Sequence, residues 1–264
     1  MTAPTKSPPR ALVTGAAGRV FQSIEPMLRR DIDYVLTDNA PSRDDIHQLD
    51  LLDFPAVRQA LRDIDLVLHL AIYSKQKTPG LAYVEMNDRQ IEVNVLGTQH
   101  LYEAAFENGV HHIAYMSSIT TVIGAPCPPR FDRDTPYRAS TVYGVTKMFG
   151  EMLSEVYARQ RGMSVTCMRL AQPVPMYHLQ WGTDAIEELI REGLAVGFSD
   201  IAQAVNVALA PRESGWRVFN VISQCDGVPC RFDLSAGIEL GFSPQQMLTR
   251  DAAIDLPDAQ TRTA

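Results

Sequence analysis

The chain has 264 residues, a formal net charge of −7 and 45% hydrophobic residues. That length supports one large domain or two small ones with a sizeable core. The mild acidity and the lack of a dense basic run argue against a nucleic-acid surface, and no apolar stretch approaches the ~18 residues of a membrane span.

Residues 1–9 are polar and proline-containing, without the apolar core of a signal peptide, and are expected to form a disordered tail. The four cysteines, Cys127, Cys167, Cys225 and Cys230, lack metal-ligand spacing. Free thiols in a cytoplasmic protein are the expectation, although Cys225 and Cys230 could sit close. No internal repeat interrupts the chain.

Residues 11–14 are a short apolar run, followed by Gly15-Ala16-Ala17-Gly18 and a helical pattern to Leu28. A glycine turn between a strand and a helix lets backbone N–H groups approach a pyrophosphate at the helix N-terminus. The next strand, 34–37, ends at Asp38, 23 residues after Gly15. A carboxylate at that distance can accept hydrogen bonds from an adenosine ribose and repels a 2′-phosphate, which predicts NAD rather than NADP. Arg43 is too far along to serve as a phosphate-binding partner of that position.

A short strand candidate before Leu49, a helix over 54–61 and a buried strand over 66–71 come next. His69, inside that strand, reads as a satisfied core histidine. Residues 83–108 read as a long helical segment ended by Gly109, and 112–116 as a strand running into Ser117-Ser118. Strands alternating with helices at this spacing predict an α/β, Rossmann-like, doubly wound parallel sheet. Its ligand crevice lies beyond the C-terminal ends of the strands, where Gly15, Asp38, Ala71 and Ser118 all fall.

Residues 123–137 form a loop rich in proline and charge, suited to a flap beside a substrate. Then come Ser140 and Thr141 as candidate N-caps and a helix carrying Tyr143 and Lys147. A separation of four puts phenol and ammonium on one helix face. The positive charge favours the phenolate and should draw the phenol pKa down from about 10, making Tyr143 a plausible acid/base for an alcohol proton. A strand over 165–168, an extended exit at Gln172-Pro173, helices over 183–192 and 199–209 (the latter capped by Ser199-Asp200), a strand over 217–221 and a short helix over 232–240 complete the pattern. The expected organisation is a tail over 1–9, a cofactor-binding domain over 10–170, a small substrate-binding region over 171–246 interleaved with the last strands, and a loosely held tail over 247–264.

Together, Thr14 to Gly18, Asp38, Asp50-Leu51, His69-Leu70-Ala71, Asn94 to Thr98, Ser117-Ser118, Tyr143 to Lys147, and Arg169 with Gln172-Pro173-Val174 resemble the extended short-chain dehydrogenase/reductases, specifically the NAD-dependent epimerase/dehydratase group. The resemblance implies Tyr143 as acid/base, Lys147 holding the nicotinamide ribose, and Ser118 hydrogen-bonding the reacting oxygen, with Ser117 or Thr120 as substitutes. It implies Asp38 on the adenosine ribose, Asp50 on the adenine amine, Asn94 near the nicotinamide, and Gln172 on the substrate. Gly15, Ala17, Gly18, Arg19, Val20, Asn39, Leu51, Leu70, Ala71, Ile72, Met116 and Pro173 complete the implied NAD site. It also implies a homodimer through a four-helix bundle built from the 83–108 and 141–162 helices. No metal ligand is implied.

Two departures stand out. Phe21 replaces the third glycine of the family's Gly-x-x-Gly-x-x-Gly turn, a glycine that permits close helix–strand packing. A phenylalanine there must push the helix out, turn aside, or sit over the cofactor. Ser118 is followed by Ile119-Thr120 without the acidic pair of dehydratases, which disfavours elimination. About thirty residues separate Arg169 from Ser199, which suggests a small pocket. Length and ending look similar to uronate dehydrogenases and other sugar-oxidising enzymes. The arginine such enzymes offer a sugar carboxylate is not evident, since Met176-Tyr177-His178 stands in its place. The expectation is a dehydrogenase of a small sugar, sugar acid or polyol. An NAD-dependent epimerase is the first alternative and an NAD-binding protein without turnover the second.

Overall fold

Every second side chain of a strand points to the same face, so strands buried on both sides alternate between two cores. The computed structural model describes residues 7–73, 81–124, 129–174 and 178–249, with the backbone alone at 178–183. Within these, β1 (Arg10–Thr14), β2 (Asp33–Asp38), β3 (His47–Gln48), β4 (Leu66–His69), β5 (His112–Ser118), β6 (Ser164–Leu170) and β9 (Gly215–Val221) form one seven-stranded sheet. Its order is β3-β2-β1-β4-β5-β6-β9, and every pairing is parallel. The order reverses between β1 and β4, the crevice-forming point of a doubly wound sheet.

Ala11, Val13, Leu68, Ala114, Met168 and Phe219 face one core. It is closed by α1 (Arg19–Ile24), α7 (Phe198–Ala208) and residues beside α8 (Ser235–Leu240). Leu12, Val67, Ile113, Tyr115, Val165 and Val218 face the other, closed by α2 (Phe54–Ala60), α4 (Thr98–Glu107) and α5 (Val142–Arg161). A third, smaller cluster joins Val174, Ile186, Ile190, Ala195, Cys225 and Leu248. It is built by the two-stranded pairs β7 (Gln172–Val174) with β8 (Ala195–Gly197) and β10 (Gln224–Cys225) with β11 (Met247–Leu248), and by α6 (His178–Arg191).

Capping explains the ends of the key helix. Thr141 Oγ1 accepts from the Gly144 amide at 3.1 Å, and Gly162 closes the helix at φ +67°. Other expectations change. The run 83–108 is one continuous helical segment to Glu107, but its middle is wound differently: α3 (Tyr83–Ile91) passes through a turn of π-helix, Glu92–Gly97, before α4. The wider turn swings Asn94 inward. Ser199 and Asp200 do not cap α7, whose N-cap is Gly197. Asp200 is instead buried, accepting from Ser223 Oγ and the Gln245 and Gln246 amides, and so ties the last strands to α7. α6 begins at His178, ahead of the expected 183. Met247 and Leu248 pair in β11, so ordered chain extends past the expected start of the tail. Cys167, Cys225 and Cys230 are free thiols. Cys127, Met176, Tyr177, the His178 side chain and most of both expected tails lie outside the described residues.

Candidate active site

The glycine turn is held by contacts that admit no side chain. Gly15 has φ +79°, and a Cβ there would stand 2.7 Å from the Ala71 nitrogen. A Cβ on Gly18 would meet the Gly15 carbonyl at 2.9 Å. The turn therefore lies directly against Leu70-Ala71 at the end of β4, across the switch point. Asp38 is buried at the end of β2, where its carboxylate accepts from the Ala17 amide at 3.1 Å and the Ala40 amide at 3.0 Å. Two backbone donors aim that charge beside the turn. Arg43 faces elsewhere, paired with Glu25 at 2.7 Å and Asp45 at 2.9 Å. Arg19 and Asn39 are exposed at the rim, while Val20 is half-buried against the core.

Phe21 takes one of the three courses open to it. It turns into the core beneath the sheet, 1% exposed, among Ala11, Val13, Ile24 and Leu36. It does not cap the glycine turn.

Further along the crevice, Asp50 is exposed and accepts from the Leu52 amide at 2.9 Å. Leu51 is buried, its carbonyl accepting from His100 Nδ1, and a Cβ on Gly97 would stand 2.9 Å from the Leu51 Cβ. Buried Asn94 is the joint of the site. Its Oδ1 accepts from the Tyr73 amide at 2.7 Å, just after Ile72, and its Nδ2 donates to Thr146 Oγ1 at 3.2 Å. Thr146 Oγ1 in turn donates to the Tyr143 carbonyl at 2.8 Å. A π-turn thus connects the loop after β4 to the first turn of the Tyr143 helix, a recurrent use of such turns.

His69 is the satisfied core histidine expected. Thr98 Oγ1 donates to the Asn94 carbonyl, so it accepts at His69 Nε2, and Nδ1 accepts from Thr14 Oγ1 at 2.7 Å. Burial, with the Lys147 charge second, lowers its pKa to about 3 and keeps it neutral.

The Tyr143 helix is seated on β5 by two glycines. A Cβ on Gly144 would stand 2.8 Å from the Thr120 carbonyl, and one on Gly150 would overlap the Tyr115 ring. This close approach sets the start of the helix, which carries half-buried Tyr143, against the Thr120 carbonyl of the Ser118–Thr120 turn. Ser118 Oγ accepts from the Thr120 amide at 3.2 Å and lies 3.0 Å from Thr120 Oγ1, so these two hydroxyls share one locality. Lys147 is 3% exposed, with Nζ donating to the Met116 carbonyl at 2.7 Å and standing 6.0 Å from the Tyr143 ring centre. Burial lowers its pKa to about 7, opposed by the nearby Glu151 carboxylate. Ser117 alternates to the opposite face of β5, where its hydroxyl donates to Glu151 at 2.5 Å and is occupied away from Ser118. Gln172 is half-buried and Pro173 buried in β7, paired with Ala195 and Val196. Among the described residues no cluster of three or more His, Cys, Asp or Glu side chains is placed to hold a metal.

The family profile described as NAD dependent epimerase/dehydratase matches residues 11–197, taking in the glycine turn, Asp38, Asn94, Ser118, Tyr143 and Lys147. The chain belongs to the NAD dependent epimerase/dehydratase family. It is similar to the uronate dehydrogenase of Agrobacterium fabrum, 31% identical over 172 residues, which cover 63% of this chain and 62% of that protein. It is also similar to an L-arabinose 1-dehydrogenase (NAD(P)(+)) of Haloferax volcanii, 31% identical over 61% of this chain and 66% of that protein. These alignments span just under two thirds of both relatives. A solved structure of a mutated uronate dehydrogenase superposes with a TM-score of 0.72 at 26% identity, covering 90% of this chain and 82% of that one.

Within this family frame, Glu151 and Tyr137 are the residues missed in the sequence, while Thr98 and Thr146 entered it only as members of the stretches Asn94 to Thr98 and Tyr143 to Lys147, without a role of their own. Glu151 carried a usable signal, because Tyr143, Lys147 and Glu151 recur every four residues along one helix face. Tyr137 carried none, since its contacts depend on the path of a loop.

Proposed function

We propose that the protein is an NAD-dependent oxidoreductase acting on the CH–OH group of a small sugar, sugar acid or related polyol. The observation that carries this reading is buried Lys147 beside the Tyr143 ring, on a helix joined through Thr146 and Asn94 to the crevice next to the glycine turn. The site fits a dinucleotide, because only glycine can occupy position 15 and the Asp38 carboxylate is aimed beside it. Bound NAD supplies the hydride acceptor.

The chain's own residues do the rest. Tyr143 takes the hydroxyl proton as the substrate is oxidised. Lys147, with a pKa of about 7, stays partly charged near neutrality, favours the phenolate, and reaches the nicotinamide ribose. Ser118, with Thr120 beside it, holds the reacting oxygen. Asp38 accepts from the adenosine ribose and disfavours a 2′-phosphate, and Asp50 holds the adenine amine. Residues 10–170 carry the cofactor and 171–246 the far wall of the substrate pocket, where Gln172 stands. The relatives' names, uronate dehydrogenase and L-arabinose 1-dehydrogenase, support free sugars and their acids as the substrate class.

The homodimer is part of the same reading. Tyr83, Val84, Ile91, Leu96, Val145, Met152 and Val156 are exposed apolar side chains on α3, the π-turn and α5, the helices of the expected four-helix bundle. No helix among the described residues is long and apolar enough to cross a membrane. A cytoplasmic location suits the free thiols.

The test is NADH formation at 340 nm with a panel of uronic acids, aldoses and polyols. Steady NADH production with one class is the expected result. Conversion to an epimer without net NADH would replace this reading with an epimerase, and failure across the panel with NAD bound would remove it.

A further inference from the structure

Arg169 and Glu151 form an ion pair at 2.9 Å with exposures of 2% and 0%, inside the wall of the site and untouched by the proposed chemistry. Burying two charges is unfavourable unless their remaining hydrogen-bonding capacity is met. Here it is met from three directions. Arg169 Nε also reaches the Glu151 carboxylate, at 3.1 and 3.2 Å. Ser117 Oγ donates to Glu151 Oε1 from β5. The third set comes from the chain between Ser118 and Tyr143: Tyr137 Oη donates to Glu151 Oε2 at 3.1 Å, its ring lies 5.6 Å from the guanidinium, and Arg169 Nη1 reaches the Arg133 carbonyl at 3.5 Å.

We propose that the Glu151–Arg169 pair is a positioning device that clamps residues 133–138, the segment leading from the Ser118 turn into the Tyr143 helix, and so shapes the substrate side of the site. The substrate part of this inference rests on the function proposed above. The clamp itself does not.

The geometry makes the pair suited to this task. Glu151 lies two helical turns after Tyr143 on the same face, and Arg169 lies in register with Ser117 on the adjacent strand. Any shift of the Tyr143 helix against β5 and β6 is therefore felt at the clamp. The start of the segment is held independently. The Phe131 and Phe232 rings stack at 4.6 Å, and backbone bonds run from the Phe131 amide to the Arg231 carbonyl and from the Asp233 amide to the Phe131 carbonyl. The Arg138 amide is bonded to the Thr121 carbonyl. The Tyr137 contact thus sits between fixed ends, where losing it loosens a short stretch without detaching the loop. A charged, shared acceptor holds its donor more strongly than a neutral one would. A purely structural ion pair would have no need of a loop tyrosine.

The test compares hydrogen exchange and kinetics in full-length wild type, Tyr137→Phe and Glu151→Gln. Tyr137→Phe deletes one hydroxyl and leaves the buried pair intact, so it folds even if Glu151→Gln does not. Exchange of the Thr135 amide, bonded to the Asp132 carbonyl inside this stretch, should accelerate about tenfold in Tyr137→Phe, with the Arg138 amide and the amides of β5 unchanged. The sugar KM should rise roughly tenfold while kcat and NAD affinity stay within about twofold. Unchanged exchange in Tyr137→Phe overturns the clamp. Faster exchange with unchanged KM overturns its role at the substrate side. If wild type oxidises no sugar, the enzyme reading fails separately, and the exchange result alone upholds or overturns the clamp.

Discussion

Replacing Lys147 with methionine should flatten the pH dependence of folding stability between pH 7 and 9 in the cofactor-free protein. Burial lowers the Lys147 pKa from 10.5 to about 7 in the folded state, with Glu151 partly opposing. In the unfolded chain the amine keeps its proton up to its ordinary pKa. Between those two values the unfolded state binds more protons, so wild-type stability rises with pH there, and below pH 7 the full cost of burying the ammonium is felt. Each pH unit well inside the window is worth about 1.4 kcal/mol. Because the amine is only half deprotonated at pH 7, the Lys147 contribution from pH 7 to 9 comes to about 2 kcal/mol. Lys147→Met removes that increment, and Glu151 stays paired with Arg169. Urea melts of both proteins at pH 7, 8 and 9 read the difference directly. Parallel stability curves would refute the reasoning, showing that Lys147 is solvated or paired enough to keep its ordinary pKa.

Phe21→Gly should cost about 4–6 kcal/mol, from an emptied aromatic site in the core plus a glycine in a helix, without tightening NAD binding. Tighter binding by calorimetry would mean that Phe21 obstructs the cofactor after all. Asp38→Ala should weaken NAD and narrow its advantage over NADP, and an unchanged ratio of the two Kd values would remove Asp38 from the ribose site. Tyr143→Phe should abolish turnover while NAD affinity stays within a few-fold, and retained activity would exclude Tyr143 as the acid/base. Gly144→Ala forces a Cβ towards the Thr120 carbonyl, 2.8 Å away, so kcat should fall at least tenfold as the helix start is displaced from Ser118. A wild-type kcat would show that this approach is slack.

Much of the fold and part of the candidate site are written in local pattern. The apolar runs ending at Thr14, Asp38, His69 and Ser118 alternate with amphipathic helices, and that rhythm permits few arrangements besides a parallel sheet with its crevice at those ends. The placement of Gly15 in the turn, of Asp38 at a strand end, and of Tyr143 and Lys147 on one helix face was likewise legible, because turn conformation and helix periodicity are properties of neighbours in the chain. Tertiary structure alone decided the course of Phe21, since a side chain at that position can turn to the core or to the crevice, and only the space beneath β1 and β2 makes the core available. It decided that Ser117 serves Glu151 while Ser118 faces Thr120, a matter of strand phase that one residue of slip would reverse. It also decided that Asn94 sits in a π-turn and that Glu151 is shared by a strand serine, a strand arginine and a loop tyrosine. Those partners lie 14 to 34 residues from Glu151 in sequence. No local periodicity encodes such a meeting, because it exists only once the sheet, the helix and the loop have packed around one buried charge.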